Sequence, residues 1–157
     1  MARSRVFVAS SIINAPADEV FRWHAQPGAL ERLTPPWEPL EVIQAAPGIR
    51  NGDRGVLRAR IGPFPVIWEF EHSDYIEGRQ FRDIQVRGPF RRWDHTHRMT
   101  PEGPNACLLE DHIEYDLPLG PLGNLLAGWF VQRKLEKLFR YRHGVTAKAM
   151  RELEGDK

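Results

Sequence analysis

Cysteine is almost missing from this 157-residue chain: Cys107 is the single thiol. An internal disulfide and any paired-cysteine metal or redox motif are thereby excluded. A surplus of one charge is lacking too. Lysine and arginine number 22 against 21 acids, so bulk electrostatics give no pull toward nucleic acid. No apolar run approaches the length that spans a bilayer. The stretch 1–8 carries two arginines but neither a long hydrophobic segment nor a cleavage signal. Repeats, low-complexity tracts and glycine-rich phosphate loops are also wanting. These gaps predict one cytoplasmic domain over residues 1–157, long enough to bury a core, with no membrane insertion.

What the chain does contain is a long apolar-and-basic run between Leu122 and Met150. Val131, Leu135, Leu138, Arg142, Val145 and Ala149 recur there at helical spacing, with lysines and arginines between them. As one helix it would be a rod of roughly 40 Å, which needs a broad surface to cover its stripe. Leu122, Leu125, Leu126 and Trp129 form a second stripe about half a turn away. Either the helix breaks near Gly128, or its first turns face a loop, a ligand or another subunit, which leaves a homodimer open.

The partner surface is legible upstream. Residues 6–13 read as a strand, and Asn14 or Ala15 caps a helix with Pro16 in its first turn. Residues 28–33 give a second short helix, and the Pro35-Pro36 pair stiffens the loop that presents Trp37. Runs at 41–45, 55–61, 66–76, 80–86, 90–99 and 107–117 then follow, bounded by Pro/Gly/Asn turns. Strands segregated from helices predict an α+β fold. Its sheet would be curved and antiparallel, of about seven strands, wrapped around the long C-terminal helix.

Alternation along the strands assigns faces. Trp93, His95, His97 and Met99 share one side, as do Leu109, Asp111, Ile113 and Tyr115 on the following strand. Closing the hairpin around Glu102-Gly103 sets His95 opposite Asp111 and His97 opposite Leu109. Trp68, Phe70 and His72 form a third inward set, and Phe81, Asp83 and Gln85 a fourth. A packed core does not carry so many ionisable groups without partners. Large apolar walls with a few converging polar groups are the make-up of a small-molecule pocket. Two other readings of the same residues stand beside this one. A His95–Asp111 pair also serves as a satisfied structural hydrogen bond. His95-x-His97 with Asp111 has metal-ligand chemistry too, but no fourth ligand suggests itself, and neither metal nor cofactor is expected. No serine or cysteine nucleophile with an assigned base is evident.

The opening Ile12-Ile13-Asn14-Ala15-Pro16-Ala17-Asp18-Glu19-Val20-Phe21 is similar to the start of bacterial START-like, helix-grip proteins. Phe81-Arg82-Asp83-Ile84-Gln85, Gly88-Pro89-Phe90 and Trp93-Asp94-His95-Thr96-His97 resemble its ligand-binding "cyclase/dehydrase" branch more closely. The resemblance covers nearly the whole chain. It implies a sheet gripping the long helix around a deep pocket, open near residues 34–37 and the helix start. It also implies that Asp83, Gln85, His95 and His97 are pocket residues. It supplies no reaction, because the superfamily holds carriers and enzymes on one scaffold.

The expected function is binding or carriage of a small, largely apolar molecule with a polar end. Trp68, Phe70, Trp93 and Tyr115 would line the wall. His95, His97 and Asp111 would fix the polar end, and Trp37 and Trp129 would stand at the mouth. Two rivals remain open: a cyclase or dehydratase using His95, oriented by Asp111, as general base, and a protein-interaction module built on the Leu125–Trp129 patch.

Overall fold

The computed structural model describes residues 4–157. Strand β1 (Arg5–Ile13) is followed by α1 (Ala17–Ala25) and α2 (Ala29–Arg32). Six strands come next: β2 (Glu41–Gln44), β3 (Arg54–Ile61), β4 (Phe64–Ile76), β5 (Gln80–Arg87), β6 (Arg92–Pro101) and β7 (Cys107–Asp116). The chain ends in α3 (Gly120–Gly155). The expected α+β order is therefore observed. The seven strands form one sheet in the order β1-β7-β6-β5-β4-β3-β2, and every neighbouring pair is antiparallel.

Local chemistry explains most of the boundaries. α1 opens one residue later than expected, with Pro16 at the cap and its carbonyl accepting the N–H groups of Glu19 and Val20. Proline suits that place because its fixed φ fits and it has no donor to leave unpaired. Strand β7 alternates without a fault: Cys107, Leu109, Asp111, Ile113 and Tyr115 are buried, and the residues between them are half-exposed. α3 packs on β1 and β7, while α1 packs on β6 and β7. The inner face of β3 and β4 is left largely uncovered: Trp68 and Phe70 are half-buried there, and Phe64 at the hairpin tip is exposed.

One open alternative is decided and two expectations need correction. α3 runs without a break. At Gly128 the missing side chain lets Arg5 lie against the helix, where a Cβ would stand 2.6 Å from the guanidinium. The buried stripe is also rotated. Leu135, Phe139, His143, Thr146 and Met150 face the sheet, while Val131, Leu138, Arg142, Val145 and Ala149 lie half-buried on the flank. Leu122, Leu125, Leu126 and Trp129 point to solvent. Finally, the β6–β7 hairpin pairs Pro101 with Cys107, and Glu102 N–H bonds the Ala106 carbonyl across a five-residue turn. That places His97 opposite Asp111 and His95 opposite Ile113, two residues from the expected register.

The entry to α3 is tight. A Cβ on Gly123 would fall 1.8 Å from the Pro118 carbonyl oxygen, a backbone atom that cannot swing aside. Gly123→Ala is expected to cost about 1–3 kcal/mol, read as a Tm lowered by roughly 5 °C in a thermal melt. No helix among the described residues is long and apolar enough to cross a membrane.

Candidate functional site

Register brings the inward polar residues together. β5, β6 and β7 are adjacent, and Asp83 pairs with both His95 and His72 across its two neighbours, while His97 pairs with Asp111. From the opposite side, the rotation of α3 aims His143 at the same point. The result is a buried cluster around Asp111. Its Oδ1 accepts from His95 Nε2 at 2.7 Å and lies 2.9 Å from His97 Nδ1. Its Oδ2 accepts from His143 Nε2 at 2.7 Å. His95 reaches Asp111 although it sits opposite Ile113, because diagonal neighbours on one sheet face are within reach of long side chains.

The second carboxylate extends the network. His97 Nε2 donates to Asp83 Oδ2 at 2.9 Å. His72 Nδ1 stands 2.6 Å from Asp83 Oδ1, close enough for an ion pair but out of line for a directional hydrogen bond. At the far end His143 Nδ1 meets the Ser11 hydroxyl at 2.7 Å.

Proton positions follow from these contacts. Burial works against charge on His97, but Asp83 and Asp111 outweigh it and push His97 up to about 9. With both ring nitrogens protonated, Nε2 donates to Asp83 and Nδ1 faces Asp111 as an ion pair. Burial, followed by the His97 charge, pushes His95 down to about 4, so its ring is neutral near pH 7. Its remaining proton sits on Nε2 facing Asp111, which makes Nδ1 the lone-pair nitrogen. Burial alone would raise Asp111, but the hydrogen bonds from His143, His95 and His97 hold it well below the usual carboxylate range. Asp83 is likewise held low against burial by His97 and His72. Arg142 on α3 is lowered by burial but feels both carboxylates. Two anions thus face the cations of His97 and Arg142, and the interior carries no net charge from these four groups.

Asp83, His95 and His97 are also the set that could hold a metal ion, their donor atoms lying within 4.8 Å of one another. The contacts just described engage His97 and Asp83 with each other, while His95 Nδ1 keeps its lone pair.

The other expected site residues are distributed more widely. Trp68, Phe90 and Trp93 pack together beside the cluster, Trp68 and Trp93 edge to face with ring centroids 5.1 Å apart and Phe90 tilted against both. Phe70 stands against His72. Gln85 shares their face but its amide is turned to the backbone, donating to the Phe90 carbonyl and accepting the Phe90 N–H. Tyr115 is fully buried and its hydroxyl accepts from Arg5. Trp37 and Trp129 are not brought to the cluster: Trp37 packs on Tyr141 under Lys137, and Trp129 lies exposed under Arg133. Two grooves, of about 530 and 520 Å³, lie elsewhere, between β1 and α3 and between α1 and the β4–β5 turn.

Sequence reasoning missed His143 and Ser11. The signal for His143 existed, since Leu135, Phe139 and His143 repeat every four residues. Ser11 shares a strand face with Phe7, Ala9 and Ile13, but a lone serine there carries no signature.

Residues 13–140 match the family described as polyketide cyclase/dehydrase and lipid transport. Among solved structures, norcoclaurine synthase from Thalictrum flavum is 16% identical, with a TM-score of 0.73 and 98% of each chain covered. A START superfamily protein from Mycobacterium smegmatis is 14% identical, with a TM-score of 0.69, covering 94% of this chain and 98% of its own. The Zhui aromatase/cyclase from Streptomyces sp. R1128 is 15% identical, with a TM-score of 0.68 and 96% of each chain covered. At such identities the likeness is one of fold. No curated protein sequence matches the chain.

Proposed function

Since this chain belongs to the polyketide cyclase/dehydrase and lipid transport family, we propose that its inner sheet face binds and carries a small, largely apolar molecule with a polar end. One observation carries this reading: a half-buried aromatic wall of Trp68, Phe70 and Trp93 runs directly onto the Asp83–His95–His97–Asp111 cluster. These rings are the apolar wall, and His95 Nδ1 and the carboxylates supply the polar end. Gln85 shapes the wall by fixing the turn before Phe90, and Tyr115 backs it from the core.

The test uses the wall itself as reporter. Protein purified without detergent is titrated with a graded series of fatty acids and aromatic polyketide-like phenols while tryptophan emission is read. Saturable quenching that weakens about tenfold or more in Trp68→Ala supports binding at this face, an effect of the size expected when a large aromatic contact is removed. Quenching that is non-saturable, or unchanged in Trp68→Ala, counts against it.

A second reading, a cyclase or dehydratase, draws on the tautomer of His95. An imidazole held neutral by its surroundings, with a lone pair free, is a proton acceptor. A group pushed down to about 4 is a weak base, which favours carriage over catalysis. Turnover of a bound polyketide-like ketone that disappears in His95→Gln, with binding retained, would decide for the enzyme.

A further inference from the structure

Ser11 and His143 stand in a line with Asp111 that leads away from the aromatic wall, on the far side of that shared carboxylate. Ser11 Oγ lies 2.7 Å from His143 Nδ1, and His143 Nε2 lies 2.7 Å from Asp111 Oδ2. With Asp111 ionised, Nε2 carries the proton that faces it. Nδ1 is then the acceptor for the serine hydroxyl. This is the order of roles in a serine nucleophile relay, with the two ring nitrogens exchanged. Exposure follows the same order: Ser11 is half-buried, whereas His143 and Asp111 are buried.

The line does not end in packed core. Ser11 and His143 both border the groove of about 530 Å³ between β1 and α3. Phe7, Ile13, Phe139 and Ala147 give it apolar walls, and Arg140 and Glu136 stand along it. β1 is the edge of the sheet.

We propose that the β1–α3 groove is a second site, distinct from the aromatic wall, at which Ser11 acts as nucleophile and His143 as general base toward small apolar carboxylic esters. Ser11 Oγ attacks the ester carbonyl and its proton passes to His143 Nδ1. The imidazolium is held against the Asp111 carboxylate. Collapse of the tetrahedral adduct breaks the acyl–oxygen bond, and the departing alcohol takes the proton from His143. Water then attacks the acyl-Ser11 ester, again losing its proton to His143, and releases the carboxylic acid with Ser11 restored.

The full chain is incubated with a fluorophosphonate probe and, separately, with p-nitrophenyl butyrate. Intact mass and peptide mapping locate the probe. A single adduct on Ser11 is expected, with release of p-nitrophenol. Ser11→Ala should remove both signals. His143→Gln should slow labelling by about a hundredfold or more, the usual contribution of a positioned base. Circular dichroism confirms that each variant is folded. Ser11→Ala, being half-exposed and only slightly smaller, keeps the test valid should His143→Gln unfold. A wild-type protein that acquires no adduct on Ser11, or a folded His143→Gln that labels at the wild-type rate, overturns the proposal. The outcome is separable from the carrier reading, because Ser11→Ala leaves tryptophan quenching by ligands at the wall unchanged.

Discussion

Asp111→Ala is expected to destabilise the protein by about 3–5 kcal/mol, the cost of removing one partner from a buried ion pair. Asp111 is 4% exposed and receives three imidazoles. Without it, the charge on His97 keeps only Asp83, and His95 and His143 lose the acceptors that fix their rings. The lost area of one small side chain is trivial beside that uncompensated charge. Urea unfolding at neutral pH, followed by tryptophan emission, should show a midpoint lower by about 2 M. Asp111→Asn should recover little, because a neutral amide preserves shape but not charge. A loss below about 1 kcal/mol would mean that the cluster is hydrated and its pairs are worth no more than surface ones.

Stability should peak near pH 6.5 and fall on both sides. His97 is raised from 6.5 to about 9 in the folded state. Its contribution is therefore complete below pH 6.5 and is lost as pH climbs through 9, because the folded protein holds a proton that the unfolded chain has released. His95 and His24 are shifted the other way, each to about 4, the second by burial first of all. Their contribution is complete above pH 6.5 and is lost as pH falls toward 4, where the unfolded chain binds the extra protons. The carboxylates Asp83 and Asp111, both held low, add to the acid loss only below about pH 4. The alkaline limb should amount to about 3 kcal/mol between pH 6.5 and 9.5. Urea midpoints taken at half-unit steps check the curve. In His97→Gln the whole curve should lie lower and the alkaline fall should vanish. A profile flat from pH 6 to 9 would show that His97 does not carry the charge assigned to it.

Much of this arrangement could be read in advance because it depends on local periodicity. Alternation in residues 93–99 and 109–115 put His95, His97 and Asp111 on the inner face without knowledge of any neighbour. Turn residues counted the strands, and the helical repeat gave α3. The pairing partner of each histidine was less legible. A hairpin centred one residue later than expected moves the register by two, so parity, and with it the face, survives while the opposite neighbour changes.

Composition and short-range pattern by themselves determined the α+β order, the inward faces and the presence of too many ionisable groups for an ordinary core. Only the tertiary structure decided that most of those groups satisfy one another, that α3 is rotated to bring His143 onto Asp111, and that Ser11 lies at the end of the line. The physical reason is range. Strand parity and helix period are set by backbone geometry within a few residues, whereas Ser11 and His143 are 132 residues apart. Their meeting depends on how a whole helix turns against a whole sheet, and packing alone fixes that angle.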